Sequence, residues 1–141
     1  MKVLIDTNII LDYLSKREPF FQNAYQIFLM CSTKGIKGYI AAHSVMNAFY
    51  ILRKAFSSDE RREMLLQLYD VASIVSIDGH KIKDSLENLD FKDVEDCLQT
   101  ECAIECNAEY IITRNVKDFE QSEIPPITPE DFLQVYNAAK Q

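Results

Sequence analysis

The chain has 141 residues, of which 48% are hydrophobic and three are glycine, so a disordered or fibrous protein is excluded. No apolar run approaches the ~20 residues that span a bilayer, and the first residues lack the long apolar stretch of a signal peptide. We therefore expect a cytoplasmic protein with no membrane contact. The formal net charge of −7 argues against a surface that attracts nucleic acid over its whole extent, although it is compatible with an acidic site beside a local basic patch.

Short apolar segments alternate with helical segments along the chain. The predicted strands are 3–5, 38–42, 74–77 and 109–113, and helical spacing of apolar residues separates them. Helix starts are indicated by the pair Ser57 and Glu60, which is spaced as a capping box, by Asp78, and by Thr128 followed by Pro129. This order predicts an α/β fold, a three-layer α/β/α sandwich with a central, mainly parallel sheet of four to five strands. We expect residues 1–141 to form one domain.

The first predicted strand ends in Asp6, which is followed by Thr7 and Asn8. Ligands bind at the carboxyl edge of open α/β sheets. A carboxylate placed there by a buried strand is costly unless it is paired, and a divalent cation is a usual partner. The alternative is that Asp6 only caps the next helix.

Other polar residues are predicted to reach the same edge. In a parallel sheet the segment after the fourth strand and the start of the helix from residue 93 both face it, and Asp93 and Asp96 lie on one side of that helix. The residues expected to converge are Asp6, Asp93, Asp96, Asn115 and Asp118, with Ser44 and Asn47 from the helix after the second strand. Capping of helices and of one short turn is the alternative for the acidic members.

Clustered oxygen ligands favour a hard cation, and Mg²⁺ or Mn²⁺ fits them best. Such an ion activates water and neutralises charge on a phosphate, so the sequence indicates metal-dependent phosphodiester hydrolysis. The four cysteines contain no Cys-x-x-Cys pair, and we interpret them as reduced core thiols instead of a zinc site. His43 is interpreted as a structural residue at a strand end.

Three motifs resemble the PIN domain family: Asp6-Thr7-Asn8, residues 94–98 (Val-Glu-Asp-Cys-Leu), and residues 113–119 (Thr-Arg-Asn-Val-Lys-Asp-Phe). The ending, residues 126–133, is also similar, so the resemblance covers essentially the whole chain. It implies a Mg²⁺- or Mn²⁺-dependent endoribonuclease with an RNA substrate, and, as in many small bacterial members, a toxin with an antitoxin partner and a homodimeric state. The catalytic residues it implies are Asp6, Asp96, Asp93 and Asp118, the first three as metal ligands. The residues predicted to support the site or the substrate are Asn8, Ser44, Asn47, Thr113, Arg114 and Asn115.

Two positions depart from that family's pattern. Many PIN domains carry Glu where Asn47 stands and Asp where Asn115 stands. An amide coordinates a cation through oxygen but brings no charge, so we expect a weakened metal site that is still catalytic. The alternative is a catalytically weakened or inactive PIN-like module that binds RNA or a protein.

Two other protein classes fit the sequence less well. An aspartyl phosphatase would need a second Asp at the position of Asn8. A phospho-receiver domain would need a Lys after the last strand, where this chain has Arg114.

Overall fold

The computed structural model describes residues 1–140. Its sheet has five strands in the order β3-β2-β1-β4-β5, and every neighbouring pair is parallel. The strands are β1 (Lys2–Ile5), β2 (Lys37–Ala41), β3 (Ala72–Val75), β4 (Tyr110–Ile112) and β5 (Pro126–Ile127). The predicted parallel sheet is confirmed, and β5 is the strand that completes it.

Helices cover both faces of the sheet, which confirms the predicted three-layer α/β/α architecture. The helices are α1 (Thr7–Leu14), α2 (Phe21–Ser32), α3 (Ala42–Ile51), α4 (Ser58–Val71), α5 (Gly79–Glu87), α6 (Val94–Glu105) and α7 (Pro129–Lys140). Two single turns of 3₁₀ helix occur at Leu52–Lys54 and Val116–Phe119. The larger core joins α1, α2, α3, α4 and α7 to one face of the sheet, and the smaller core joins α6 to the other.

The central strand β1 is buried on both faces. Val3 and Ile5 lie in the larger core and Leu4 lies in the smaller one, and all three side chains are 0% exposed. This is why β1 is an uninterrupted apolar run and does not alternate with polar residues. Burial of each such side chain contributes about 1.5–3 kcal/mol.

Helix capping follows the sequence closely. Ser57 and Glu60 form the predicted capping box at the start of α4, and the carboxylate of Asp78 accepts a hydrogen bond from the backbone N–H of Lys81 at 2.8 Å. The third strand was predicted two residues too late. It begins at Ala72, because Ala72 and Ser73 pair with β2 although they are small or polar. Within residues 1–140, no helix has the combination of length and apolar character needed to cross a membrane.

Candidate functional site

The carboxyl edge of the sheet brings together segments that are distant in sequence. Asp6 directly follows β1 and is the N-cap of α1, while Thr113 directly follows β4. The backbone N–H of Asp6 donates to the carbonyl of Ile112 at 3.0 Å, so the β1–β4 pairing extends to the site. Asp6 therefore caps a helix and also lies at the sheet edge, and its role as a metal ligand stays a prediction.

The carboxylate of Asp6 is 8% exposed and accepts three hydrogen bonds. Its Oδ1 accepts from the backbone N–H of Thr7 at 2.8 Å and from Gln99 Nε2 at 3.2 Å. Its Oδ2 accepts from Thr113 Oγ1 at 2.8 Å. Burial raises the pKa of Asp6 despite these bonds, and the charges of Glu95 and Asp118 raise it further. Ionised Asp6 is thus held in place but remains electrostatically costly.

Gln99 connects three helices at the base of the site. Its Nε2 donates to Ser44 Oγ at 2.8 Å and lies 3.3 Å from Thr7 Oγ1, in addition to its contact with Asp6. Thr7 Oγ1 in turn donates to Ser44 Oγ at 2.8 Å. Ser44, a predicted supporting residue, is therefore connected to Asp6 indirectly, through its hydrogen bond with Gln99.

A cleft of about 410 Å³ opens beside these residues and is lined by the predicted acidic residues Asp93, Asp96 and Asp118. Asp93 is the N-cap of α6 and accepts from the backbone N–H of Glu95 at 2.8 Å. Asp96 is half-buried in the first turn of α6. Burial, followed by the charges of Asp93, Asp6, Asp118 and Glu95, raises the pKa of Asp96 to about 7. The charges of the other three predicted catalytic carboxylates thus all act on Asp96.

Asn47 and Glu95 form a second link between α3 and α6. The Asn47 side-chain amide donates a hydrogen bond to the exposed carboxylate of Glu95. His43, one turn before Asn47, is half-buried, and its two ring nitrogens have no hydrogen-bond partner among residues 1–140. Burial lowers the pKa of His43, while the charges of Glu95 and Asp93 oppose that shift. Glu95 therefore adds a further negative charge that acts on Asp6 and Asp96.

Arg114 faces a different cavity from the acidic cleft. It donates to both carboxylate oxygens of Asp12 and lines, with Phe20 and Glu130, a cavity of about 290 Å³.

Asn115 holds the segment after β4 through its backbone. Its N–H donates to Thr113 Oγ1 at 3.0 Å, and its carbonyl accepts from the N–H of Asp118 at 3.0 Å. Asn8 is half-buried in the first turn of α1.

The donor chemistry of the site fits a hard cation. Asp6, Asp93, Asp96 and Asp118 offer carboxylate oxygens, and the pKa of Asp96 is raised by burial and by neighbouring negative charge, both of which a bound cation would offset. Across residues 1–140, no three carboxylate, imidazole or thiol groups are already gathered closely enough to hold one ion. Cys31 and Cys102 lie in the two cores and Cys97 is buried on α6, as expected for structural thiols.

Sequence reasoning missed Gln99, Glu95 and Asp12. Gln99 follows Asp96 by three residues on α6, so helical spacing gave a signal that it faces the same side. The partners of Glu95 and Asp12 are 48 and 102 residues away, and nothing local identifies them.

Comparison of the fold with solved structures finds similar proteins of bacterial toxin–antitoxin systems. A VapBC2 chain from Rickettsia felis, solved bound to a promoter DNA fragment, is 18% identical with a TM-score of 0.68, and the match covers 91% of this chain and 98% of that one. A toxin–antitoxin complex from Klebsiella pneumoniae is 25% identical with a TM-score of 0.65, covering 90% and 97%. The toxin VapC20 from Mycobacterium tuberculosis, described as cleaving the sarcin-ricin loop, is 10% identical with a TM-score of 0.62, covering 77% and 86%.

Comparison of the sequence with curated proteins finds no match. A family model described as PIN domain matches residues 2–117, which is most of the chain and includes Asp6, Asp93, Asp96 and Thr113. The matched range contains the motifs that follow β1 and open α6 and the first residues of the motif that follows β4, and this chain belongs to the PIN domain family.

Proposed function

We propose that this protein is a divalent-metal-dependent endoribonuclease and the toxin of a toxin–antitoxin pair. The observation that carries the proposal is the placement of Asp6, Asp93 and Asp118 around half-buried Asp96, whose pKa is raised to about 7 by burial and then by these neighbouring charges. Carboxylates crowded in this way are typical of sites that neutralise their charge with a cation. Membership of the PIN domain family supports the nuclease activity.

Asp6, Asp96 and Asp93 would hold Mg²⁺ or Mn²⁺, with Asp118 beside them. When bound, the cation would activate a water molecule and offset the negative charge that develops on the phosphate. The choice of Mg²⁺ or Mn²⁺ follows from the carboxylate oxygens alone.

The chain's own residues orient these groups. Thr113 and the backbone N–H of Thr7 fix the carboxylate of Asp6, and Asn115 fixes Thr113. Lys92 and Lys117 line the same cleft as Asp96, and their ammonium groups suit the phosphates of an RNA strand that passes through it. Arg114 remains a predicted supporting residue, and its ion pair with Asp12 favours a role in holding the segment after β4.

An antitoxin partner is supported by the similarity to the Klebsiella pneumoniae toxin–antitoxin complex. We further propose that residues 1–141 act as one domain and pair as a homodimer, as many PIN domains do. Co-expression with the product of a neighbouring gene, followed by co-purification and by relief of growth arrest, would test the antitoxin.

The nuclease proposal is tested with purified protein and a panel of single-stranded RNAs. We expect cleavage with Mn²⁺ or Mg²⁺, no cleavage with EDTA, and a loss of at least 100-fold in Asp6→Asn and Asp96→Asn. Glu109→Gln is the matched control, since Glu109 is an exposed carboxylate next to β4 at the opposite edge of the sheet. Cleavage that persists in EDTA or in Asp6→Asn would contradict the proposal. Retention of RNA without cleavage would favour the binding-module alternative.

A further inference from the structure

We propose that Gln99 is a positioning residue that leaves Asp6 a single free carboxylate lone pair, on Oδ2, for the cation. This inference rests on the proposed function, because it concerns how Asp6 meets a metal ion. It would make Asp6 a ligand through one oxygen only. It also assigns a role to a side chain that the family motifs do not single out.

The hydrogen bonds of Asp6 carry the argument. A carboxylate oxygen has about two lone-pair directions. Oδ1 has two donors, the N–H of Thr7 at 2.8 Å and Gln99 Nε2 at 3.2 Å, so both of its directions are used. Oδ2 has one donor, Thr113 Oγ1 at 2.8 Å, so one direction is free. Without Gln99 each oxygen would have one open direction, and only Thr7 and Thr113 would restrain the carboxylate.

The orientation of Gln99 is fixed by its surroundings. The side chain is 2% exposed, and Nε2 also donates to Ser44 Oγ at 2.8 Å. Its Oε1 has no partner among residues 1–140. If the amide turned over, Oε1 would take the place of Nε2 against Asp6 Oδ1, and two acceptors would then face each other. The charge on Asp6 therefore holds the amide in the orientation that donates to Oδ1.

This arrangement acts on metal affinity through the ligand it orients. Side chains that bond metal ligands typically change metal affinity by roughly 10–100-fold when they are removed. A purely structural role for Gln99 predicts something different, since loss of packing would lower the unfolding temperature but leave the affinity of the folded protein unchanged.

The test is calorimetric titration of the full chain with MnCl₂. Gln99→Met keeps the length of the side chain and removes the donor, and Ser85→Ala is the matched control, since Ser85 is 1% exposed on α5 and outside the Asp6 network. We expect the Mn²⁺ Kd of Gln99→Met to rise at least tenfold and that of Ser85→Ala to stay within twofold. An unchanged Kd in Gln99→Met would overturn the inference.

Three further measurements keep the test decisive. If Gln99→Met does not fold, Ser44→Ala is titrated instead, because it removes the 2.8 Å contact that restrains Gln99 Nε2. We expect the Mn²⁺ Kd of Ser44→Ala to rise at least threefold, and an unchanged Kd would overturn the inference.

A crystal soaked in Mn²⁺ should show the ion on Oδ2 of Asp6, and an ion bound to both oxygens would overturn the inference. Asp96→Asn separates the two proposals, because a Kd raised in Asp96→Asn but not in Gln99→Met leaves the nuclease standing. Wild-type protein that does not bind Mn²⁺ would overturn both.

Discussion

The guanidinium of Arg114 holds both carboxylate oxygens of Asp12, a residue 102 positions earlier in the chain. Nε donates to Oδ2 at 2.7 Å and Nη2 donates to Oδ1 at 3.3 Å. The guanidinium also stacks on the ring of Phe20, 3.9 Å from its centroid. Asp12 is 0% exposed and the side chain of Arg114 is 25% exposed, so this is a partly buried, bidentate ion pair that ties α1 to the segment after β4.

We expect Asp12→Ala to destabilise the protein by about 3 kcal/mol, because it leaves a partly buried guanidinium without its partner. Equilibrium urea unfolding measures the change. Arg17→Ala is the matched control: Arg17 lies 3.8 Å from Asp12 but is 38% exposed, so its loss should cost less than about 0.5 kcal/mol. Equal losses in the two variants would contradict this account of the Arg114 pair.

The raised pKa of Asp96 predicts how stability depends on pH in EDTA. Its pKa rises from 3.8 to about 7 in the folded protein, so folding favours the protonated form. The contribution of Asp96 is therefore fully present below pH 3.8 and is lost as the pH rises through 7. We expect Asp96→Asn to be more stable than wild type by about 1 kcal/mol at pH 8, allowing for solvent screening at this half-buried group, and the difference to vanish near pH 4. Urea unfolding at the two pH values measures it, and a difference independent of pH would refute the assignment.

Gly38 of β2 packs directly against Cys31 of α2. A Cβ at this position would be 2.6 Å from Cys31 Sγ and 3.3 Å from Ile5 Cδ1. We expect Gly38→Ala to cost about 1–3 kcal/mol through overpacking, measured by urea unfolding. Gly79→Ala should instead be neutral or slightly stabilising, since a Cβ there meets nothing within 4 Å and alanine favours the helix. Similar losses at both glycines would argue against this cause.

The thiols should be slow to react in the folded protein. Burial raises the pKa of Cys31 to about 12 and that of Cys102 to about 11, and the thiolate is the reactive form. At pH 8 we expect iodoacetamide to leave both unmodified in native protein and to label them fully in urea, with mass spectrometry as the readout. Cys106, which is only half-buried, should be labelled first. Rapid labelling of Cys31 without urea would show that the larger core opens readily.

The sequence was informative where a local pattern has a local cause. The apolar run of β1, the capping box at Ser57 and the cap at Asp78 depend on neighbouring residues, and they were predicted correctly. The start of β3 was not, because Ala72 and Ser73 form a strand through pairing with β2 and not through their own apolar character. The local pattern also predicted that Asp6 and Thr113 lie at strand ends. Because the order of the elements predicts a parallel sheet, both strand ends were expected at the same edge.

The contacts that organise the site depend on tertiary packing and were not predicted. Gln99 meets Ser44 across 55 residues, and Asn47 meets Glu95 across 48. Which side chain of α3 faces which side chain of α6 depends on the angle at which the two helices pack on the sheet. A single sequence does not specify that packing angle. Arg114 was predicted to support the site or the substrate because it directly follows Thr113 in the sequence. Its ion pair with Asp12 could not be predicted in the same way, because Asp12 is 102 residues away.

The position of β1 in the middle of the sheet affects the order of events during synthesis. β1 is the first strand to be made, yet one of its two neighbours, β4, begins more than 100 residues later at Tyr110. Loop closure over that span is slow compared with local helix formation. Asp6 therefore has neither Gln99 nor Thr113 beside it until residue 113 has been made. A nascent chain that lacks α6 and β4 cannot assemble the Asp6 network, so the acidic centre forms only after these late elements have been synthesised.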